Sequence, residues 1–534
     1  MKKAFVLIIA VLVFGGADSF GRNEPLANEG KDGLYVRSIE QVLRLDESEI
    51  DLGTAVLIIS EQWNQNVYGR RYLTRLDDMA FEIRRRLEAK NLQANYRAIE
   101  VINDYLFDES GFKSVKDAGD PKDLFLHTVL DKKRGYCLSL SVLYLSLGER
   151  LGLPLYGVVV PEHFFVRYDD GRVRFNIETT GKGGSADDEH YIKKFGVPTD
   201  NGDSIYMKNL SKKQTLGCFL NNLGNSYNDV GDADAALRAL ERAVDLNPSL
   251  AESLTNLGNM YLNKGYIADA VYKYQAALKI NPRDAKTHNN LGNAYFRRDW
   301  LNDAIAEYTQ ALKLDANFIE AYKNLAGAYC KKEMYELAIM QLDHAISLEP
   351  KNAGLYRQFG DVYSQMNDYQ RAITQYKRAL KIDSDLAEAH YGLAVCYGKS
   401  GQVDDEIRAY KKALAIKPDM AAALANLGNA YFSRKEYDKA IEHYKKAIQV
   451  KPDDGAIHYN LAAAYSNTEH YEQAAVEYQE AIEIEPDMGD AHNGLAFVFY
   501  KLKQYDLADK HIKRARELNI EINKDLLTAI EKKL

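Results

Sequence analysis

Tryptophan occurs twice, cysteine four times and proline eleven times in 534 residues. The cysteines, at 137, 218, 330 and 396, have no close paired spacing, which argues against both a cysteine-rich metal site and a dense disulfide framework. No basic block stands out and the net charge is −8, so neither nucleic acid nor an anionic lipid surface is expected as a partner. Past the amino terminus no stretch has the roughly 20 apolar residues that a membrane helix needs. No clustered metal-ligand spacing occurs, so no metal is implied, calcium included, and no cofactor. What is present is ordinary for a soluble globular protein, with 46% hydrophobic and 27% charged residues. The length calls for two or more cores.

The amino terminus opens on Met1, Lys2 and Lys3, followed by the apolar run Ala4 to Phe14 and then small residues. A short positive region, an apolar core and small residues describe a secretory signal, here residues 1–19. No cysteine follows it, so a lipid anchor is not expected. The expectation is an exported, periplasmic protein of a bacterium, with a membrane partner only if the signal stays uncleaved. Residues 20–34, rich in Gly, Asn, Asp and Glu, read as a linker.

Helices are expected from Tyr35 to about Leu130. Asp51 is placed to cap an apolar helix from Leu52 to Trp63. Apolar residues at helical spacing predict a second helix over Tyr72 to Leu92, a third over Ala98 to Phe107 and a fourth over Pro121 to Leu130. A fifth begins at Cys137 and runs to about Leu151, stopped by Gly152 and Pro154. A cysteine at a helix start sits among unpaired backbone N–H groups, which favours thiolate. Strands follow over Leu155–Val160, His163–Tyr168 and Val173–Glu178, the last two joined by an Asp-Gly turn at Asp170 and Gly171. His163 and Glu178 therefore lie on paired strands, where they can face one another with Cys137 near the ring. That is the order a thiol nucleophile needs: a base to take its proton and a third group to hold the base. The competing reading is that Cys137 and His163 are packing residues. Residues 181–189 are polar and glycine-rich, and they lack the terminal Lys-Ser/Thr of a phosphate loop. They read as a mobile loop beside these side chains, either a lid or, in preference, an ordinary surface loop.

The residues around Cys137, Pro161 to Phe165 and Phe175 to Thr180, with Asp51 to Ala55, Asp104 to Phe112 and Leu151 to Gly157, resemble the transglutaminase-like superfamily in its bacterial branch. The resemblance covers residues 45–200 or so and implies an α+β domain with a papain-like Cys-His-Asp core for acyl transfer or amide hydrolysis. Residue by residue it assigns Cys137 as nucleophile, His163 as base and Glu178 as the acid that orients the ring. The last departs from the usual aspartate by one methylene, which calls for a small backbone shift; Asn176 is a poorer substitute.

From Gly217 self-similarity governs. Proline recurs at 248, 282, 350, 418, 452 and 486, with Ala316 and Ser384 at the same 34-residue spacing. Leu-Gly or Leu-Ala pairs, a tyrosine four residues beyond the leucine and two alanines recur in step. This resembles the tetratricopeptide repeat, in nine copies over 217–522 with a capping helix at 523–534. The small residues let paired helices approach, and proline ends the second helix of each pair. Glu406 occupies a small-residue position, so it must loosen the packing or tilt outward. Such repeats stack with their first helices lining a concave face. One position on that face holds Asn222, Asn256, Asn290, Asn324, Asn426 and Asn460. Amides donate and accept, so a ladder of them can hold an extended peptide whatever its side chains; they also occur as plain consensus residues.

The fold expected is therefore mainly α: a transglutaminase-like domain at 35–210 followed by an α-solenoid. The function expected is a cysteine-dependent amidase, peptidase or acyl-transferase acting on a peptide or protein bound by the repeats. A non-catalytic interaction or assembly scaffold is the alternative.

Overall fold

The computed structural model describes residues 28–29, 35–36, 38–64, 66–115, 121–197 and 205–533. The expected signal at 1–19 lies outside the described residues, as does most of the linker at 20–34. The chain divides into two compact units, Met1–Ala294 and Tyr295–Leu534.

In the first unit Asn28–Glu29 (β1) pairs antiparallel with Tyr35–Val36 (β2), ahead of a short helix Ile39–Val42 (α1). Helix α2 (Leu52–Trp63) starts where Asp51 accepts the Thr54 amide at 2.6 Å, and it is buried on every side over its first nine residues. Helix α3 (Gly69–Ala89) buries one stripe, Tyr72, Leu76, Met79, Ala80, Ile83 and Leu87. It starts three residues earlier than the apolar pattern suggests.

Two expected helices take other forms. Helix α4 (Ala98–Asn103) continues as a π-helical turn, Asp104–Glu109, closed by the Ser110 amide on the Tyr105 carbonyl at 2.9 Å. Beyond the short strand β3 (Lys113–Ser114), the stretch from Pro121 breaks into a 3₁₀ turn to Leu124 and helix α5 (Leu126–Lys132). The break falls at Phe125, which is extended at φ −76° and ψ 137°. It lets buried Asp123 meet Lys132 at 3.4 Å and Arg134 at 3.0 Å. Strand β4 (Arg134–Gly135) pairs with β3 and leads into α6 (Cys137–Arg150).

Strands β5 (Leu155–Val160), β6 (His163–Asp169) and β7 (Arg174–Ile177) form an antiparallel sheet in that order. The β6–β7 turn closes because the Asp170 carboxylate accepts the Arg172 and Val173 amides at 2.8 and 2.7 Å while Gly171 adopts φ +81°. Helix α7 (Asp188–Phe195) follows, capped by Asp187.

The remaining helices of this unit are α8 (Lys212–Asp229), α9 (Ala233–Leu246), α10 (Ala251–Asn263), α11 (Ile267–Ile280) and the start of α12 (Ala285–Arg297). The core of the globular domain runs on into α8 through Leu216, Phe219, Leu220 and Leu223. Trp63 meets Tyr227 with ring centroids 4.3 Å apart and Phe125 at 4.8 Å, both ring pairs tilted. At the other end of α8, Glu47 takes the Ser211 hydroxyl at 2.7 Å and the Lys212 amide at 2.9 Å, and the Lys212 ammonium meets Glu149.

The second unit holds helices from α13 (Leu301–Leu314) to α25 (Tyr505–Glu517), then a final helix α26 (Lys524–Glu531). Within the first unit α8 pairs with α9 and α10 with α11, and within the second the helices from α14 (Ile319–Lys331) to α25 pair two by two in chain order. The protein is thus mainly α, a small α+β domain followed by a helical solenoid. The deepest side chains of the repeats are the tyrosines of the second helices, Tyr274, Tyr308, Tyr376, Tyr410 and Tyr444. A Cβ built on Gly258, Gly360 or Gly428 would lie 2.5 to 2.7 Å from the facing tyrosine ring. Helix pairs therefore meet as ring on glycine. Glu406 is accommodated by a second glycine: a Cβ on Gly398 would lie 2.6 Å from its Oε1. Burial there pushes the Glu406 carboxyl above its usual range.

Gly428→Ala should overpack this contact and lower stability by about 1–3 kcal/mol. Guanidinium unfolding followed by circular dichroism checks it; an unchanged midpoint would mean that the helix pair opens freely.

Candidate functional site

Cys137 is the first residue of α6 and is half-buried. Tyr136 precedes it in extended conformation, and its amide is taken by the Ser139 hydroxyl at 2.8 Å. The first-turn amides of a helix have no carbonyl within the helix to bond, so the chain at Cys137 presents N–H donors. Thr179 fastens this end of the helix to the sheet, its hydroxyl reaching the Cys137 carbonyl at 3.4 Å and the Ser141 hydroxyl at 3.0 Å.

His163 opens β6. Its Nε2 donates to Glu178 Oε2 at 2.7 Å, which leaves Nδ1 for the Cys137 thiol, the ring's other hydrogen-bond partner. Burial alone would favour the neutral ring, but bonding and charge from Cys137 and Glu178 outweigh it, and the His163 pKa is pushed up to about 9. Burial opposes the Glu178 carboxylate in turn, and the His163 contact together with Thr180 holds its pKa below the usual value. Four hydrogen bonds fill that carboxylate: the Thr180 amide at 3.0 Å and hydroxyl at 2.5 Å on Oε1, His163 and the Tyr191 hydroxyl (3.2 Å) on Oε2.

Register explains how a glutamate serves here. Val166 and Ile177 form the last pair of the ladder; Glu178 lies one position beyond, level with Phe165, and the chain then enters a 3₁₀ turn at Thr179–Gly181. The carboxyl must reach diagonally along the strands, and a diagonal neighbour lies about 7–8 Å away. Glutamate covers that reach, meeting His163 at 2.7 Å. Asn176, the poorer substitute, lies opposite Arg167 and is occupied by it at 2.8 Å.

Several side chains that the sequence did not mark hold this arrangement. Phe195 of α7 stacks on the His163 ring with centroids 4.8 Å apart and planes 4° from parallel. Tyr191 stacks on Phe165 at 4.0 Å while bonding Glu178. Arg167, fully buried, keeps α7 in place: it binds Asp188 at 2.7 Å, Asn176 at 2.8 Å and the Met207 carbonyl at 2.6 Å. Residues 181–189 are tied in as well. The Glu178 amide bonds the Gly184 carbonyl at 2.8 Å, and Asn103 bonds the Gly183 carbonyl at 3.2 Å.

A cleft of about 650 Å³ opens on Cys137 and His163, walled by Tyr136 and Thr180 on one side and by Asn222, Asn225, Ser226 and Asp229 of α8 on the other. A narrower extension of about 130 Å³ reaches past Val159, Val160 and Leu250 to Glu252 in the first turn of α10. The Glu252 Oε2 is sealed from solvent and has no hydrogen-bond partner. Burial pushes its pKa up to about 7, with the charges of Asp284 and Glu162 adding to the rise.

Of the asparagine ladder only Asn222 stands in this cleft. The other amides are engaged between repeats. Asn256 donates to Asn221 at 3.0 Å, Asn290 to Asn259 at 3.0 Å, Asn426 to the Tyr391 hydroxyl at 3.3 Å and Asn460 to Asn429 at 3.2 Å. Asn259 and Asn429 also accept the buried Tyr274 and Tyr444 hydroxyls, each at 2.7 Å. Asn324 has an interaction of its own. Asn256, Asn290, Asn426 and Asn460 thus tie repeat to repeat, and Asn426 also accepts the Asn429 amide at 3.5 Å. Among the described residues no group of three or more His, Cys, Asp or Glu could hold a metal, and no helix is long and apolar enough to cross a membrane.

A family model for the transglutaminase-like superfamily matches residues 70–216. TPR repeat models match 224–265, 258–299, 360–401, 428–468 and 469–503, and tetratricopeptide repeat models match 285–318 and 387–420. The chain carries a transglutaminase-like domain followed by tetratricopeptide repeats. A UPF0162 protein of Xylella fastidiosa strain 9a5c is 27% identical over 217 residues, covering 39% of this chain and 76% of that protein. Among solved structures, MamA is 28% identical with a TM-score of 0.28 over 30% of this chain and 95% of its own. YrrB, a TPR protein with an unusual peptide-binding site, is 27% identical with a TM-score of 0.27 over 34% of this chain and 93% of its own.

Glu252 carries a pH prediction. Its folded pKa lies above the usual glutamate value of 4.5, so ionisation destabilises the fold progressively as pH rises from there through about 7. Glu252→Gln should gain stability at pH 8, on the order of 3 kcal/mol, and gain none near pH 4. Unfolding midpoints at both pH values decide it, and equal midpoints at pH 8 would refute the buried charge.

Proposed function

We propose that the protein is a cysteine-dependent acyl-transfer enzyme, an amidase, peptidase or transferase, acting on a peptide strand that enters between the globular domain and the first repeats. The observation that carries this reading is the convergence of Cys137, His163 and Glu178 at a cleft whose far wall is the first repeat helix. Tetratricopeptide repeats generally bind peptides or proteins, and here the wall supplies amides and hydroxyls suited to a peptide backbone.

In the reaction the Cys137 thiol gives its proton to His163, and the sulfur attacks the substrate carbonyl carbon. The electron pair of the carbonyl moves to oxygen, where the first-turn amides of α6 can meet it. Collapse breaks the C–N bond, and the imidazolium returns its proton to the departing amine. A water or a second amine then attacks the thioester, losing its proton to His163, and the thiol is restored. Glu178 keeps its charge throughout and holds the ring. Phe195 and Tyr191 shield that ring from water. Export to the periplasm is part of the proposal, resting on the amino-terminal sequence. A scaffold without catalysis is the second reading, favoured by the repeat-to-repeat amide ties, which are structural.

Alkylation of Cys137 by a limiting thiol reagent at pH 6 separates the two. A free thiol, with a pKa of about 8.5, holds well under 1% thiolate there. Wild type should label at least about tenfold faster than His163→Ala, the loss expected when the paired imidazolium is removed. Glu178→Gln should fall between them. Equal rates in wild type and His163→Ala would reject catalysis and leave the scaffold.

A further inference from the structure

The second unit holds a site that does not depend on Cys137. Helices α17 (Tyr369–Ile382), α18 (Ala387–Lys399) and α19 (Val403–Ile416) flank a groove of about 810 Å³. His390, 7% exposed, forms part of it. The same repeat position holds His288, His458 and His492. In all four the ring Nε2 bonds a carbonyl six residues back: Ser384 at 3.1 Å, Pro282 at 3.2 Å, Pro452 at 3.1 Å and Pro486 at 3.3 Å. His458 and His492 serve as internal comparisons for His390. With Nε2 donating to a carbonyl, Nδ1 is the nitrogen left to be satisfied.

The three part company at Nδ1. His458 meets Glu477 at 2.7 Å and His492 meets His511 at 2.9 Å, both partners lying nineteen residues on. Nineteen residues from His390 stands Ala409. The missing side chain leaves the groove, and the His390 Nδ1 is buried without a partner. Four cations line the space: Lys377 and Lys381 from α17, Arg408 and Lys412 from α19. The acids facing it are Asp385 and Asp405, and Asp405 is already paired with Arg408. Lys377 lies over the Tyr397 ring at 5.6 Å.

We propose that this groove is an oxyanion site, in which His390 Nδ1 and the surrounding Lys381, Lys412 and Arg408 take a carboxylate or phosphate group in the place that Glu477 fills two repeats later. A neutral Nδ1 repels an anion's lone pairs, so binding takes up a proton. Burial and Lys412 hold His390 neutral in the empty groove, against the Ser384 carbonyl and Asp385, which favour the charged ring. Affinity therefore rises as pH falls.

The full chain is titrated calorimetrically with inorganic phosphate and, separately, with a penta-glutamate peptide, at pH 5.5 and pH 8. Binding of either probe at pH 5.5, weakened about tenfold or more at pH 8, is expected for a charge-assisted contact. Phosphate binding alone would identify a free oxyanion as the ligand, and peptide binding alone an acidic peptide; both support the site. Ala409→Glu, which restores the arrangement of His458 and Glu477 two repeats later, should abolish binding, and Ala409→Gln should weaken it by filling the space without charge. Circular dichroism confirms that each variant folds. Absence of binding by both probes at pH 5.5 overturns the proposal. So does binding that falls in Lys381→Ala yet is unchanged in Ala409→Glu and His390→Gln, because it would then be diffuse surface charge.

Discussion

The docking of α8 on the globular domain is the constraint from which the rest of the first unit follows. Trp63 and Phe125 close one end of it with ring contacts, and Glu47, Glu149 and Lys212 fix the other. Aromatic pairs add about 0.5–1.5 kcal/mol beyond their buried area, and the leucines of α8 belong to the same apolar core as the α6 leucines. The helix consequently serves two masters: it is the first member of the repeat series and a wall of the cleft at Cys137.

Around that cleft the polar groups are held by partners on the side away from the opening. Arg167 spends its donors on Asn176, Asp188 and Met207, and so fixes α7. Helix α7 then delivers Phe195 to one face of His163 and Tyr191 to Glu178. A buried arginine is tolerated when its donors are filled, and its removal would leave the Asn176 Oδ1 and the Met207 carbonyl without the hydrogen bonds it gives them. The geometry of the ring is therefore set two contacts away from it.

The repeat array was legible because each recurring position meets a neighbour that cannot yield: glycine faces a ring, and proline ends a helix. The deep tyrosines escaped notice because Leu240, Leu342 and Ile512 interrupt their 34-residue series. The order of Cys137, His163 and Glu178 was legible in the strand and turn pattern. Phe195, Tyr191, Arg167 and Glu252 were not, since each reaches the site through packing of α7 or α10, which no local spacing encodes. The π turn after α4 was invisible for a related reason, because its apolar pattern fits an α-helix equally well. The asparagines stood out by position, but their partners lie 31 to 35 residues away and belong to another helix.

The shared helix bears on how such a protein can change over evolutionary time. Solenoids grow and shrink by whole repeats because each repeat contacts only its neighbours. That freedom holds for repeats whose two sides are other repeats. It fails at α8, where one side is the globular domain, and at α10, which carries Glu252 to the inner end of the cleft. Exchange of the first two repeats would therefore alter the globular domain's core and the cleft together, and a cut at residue 210 would remove the α8 wall of the site.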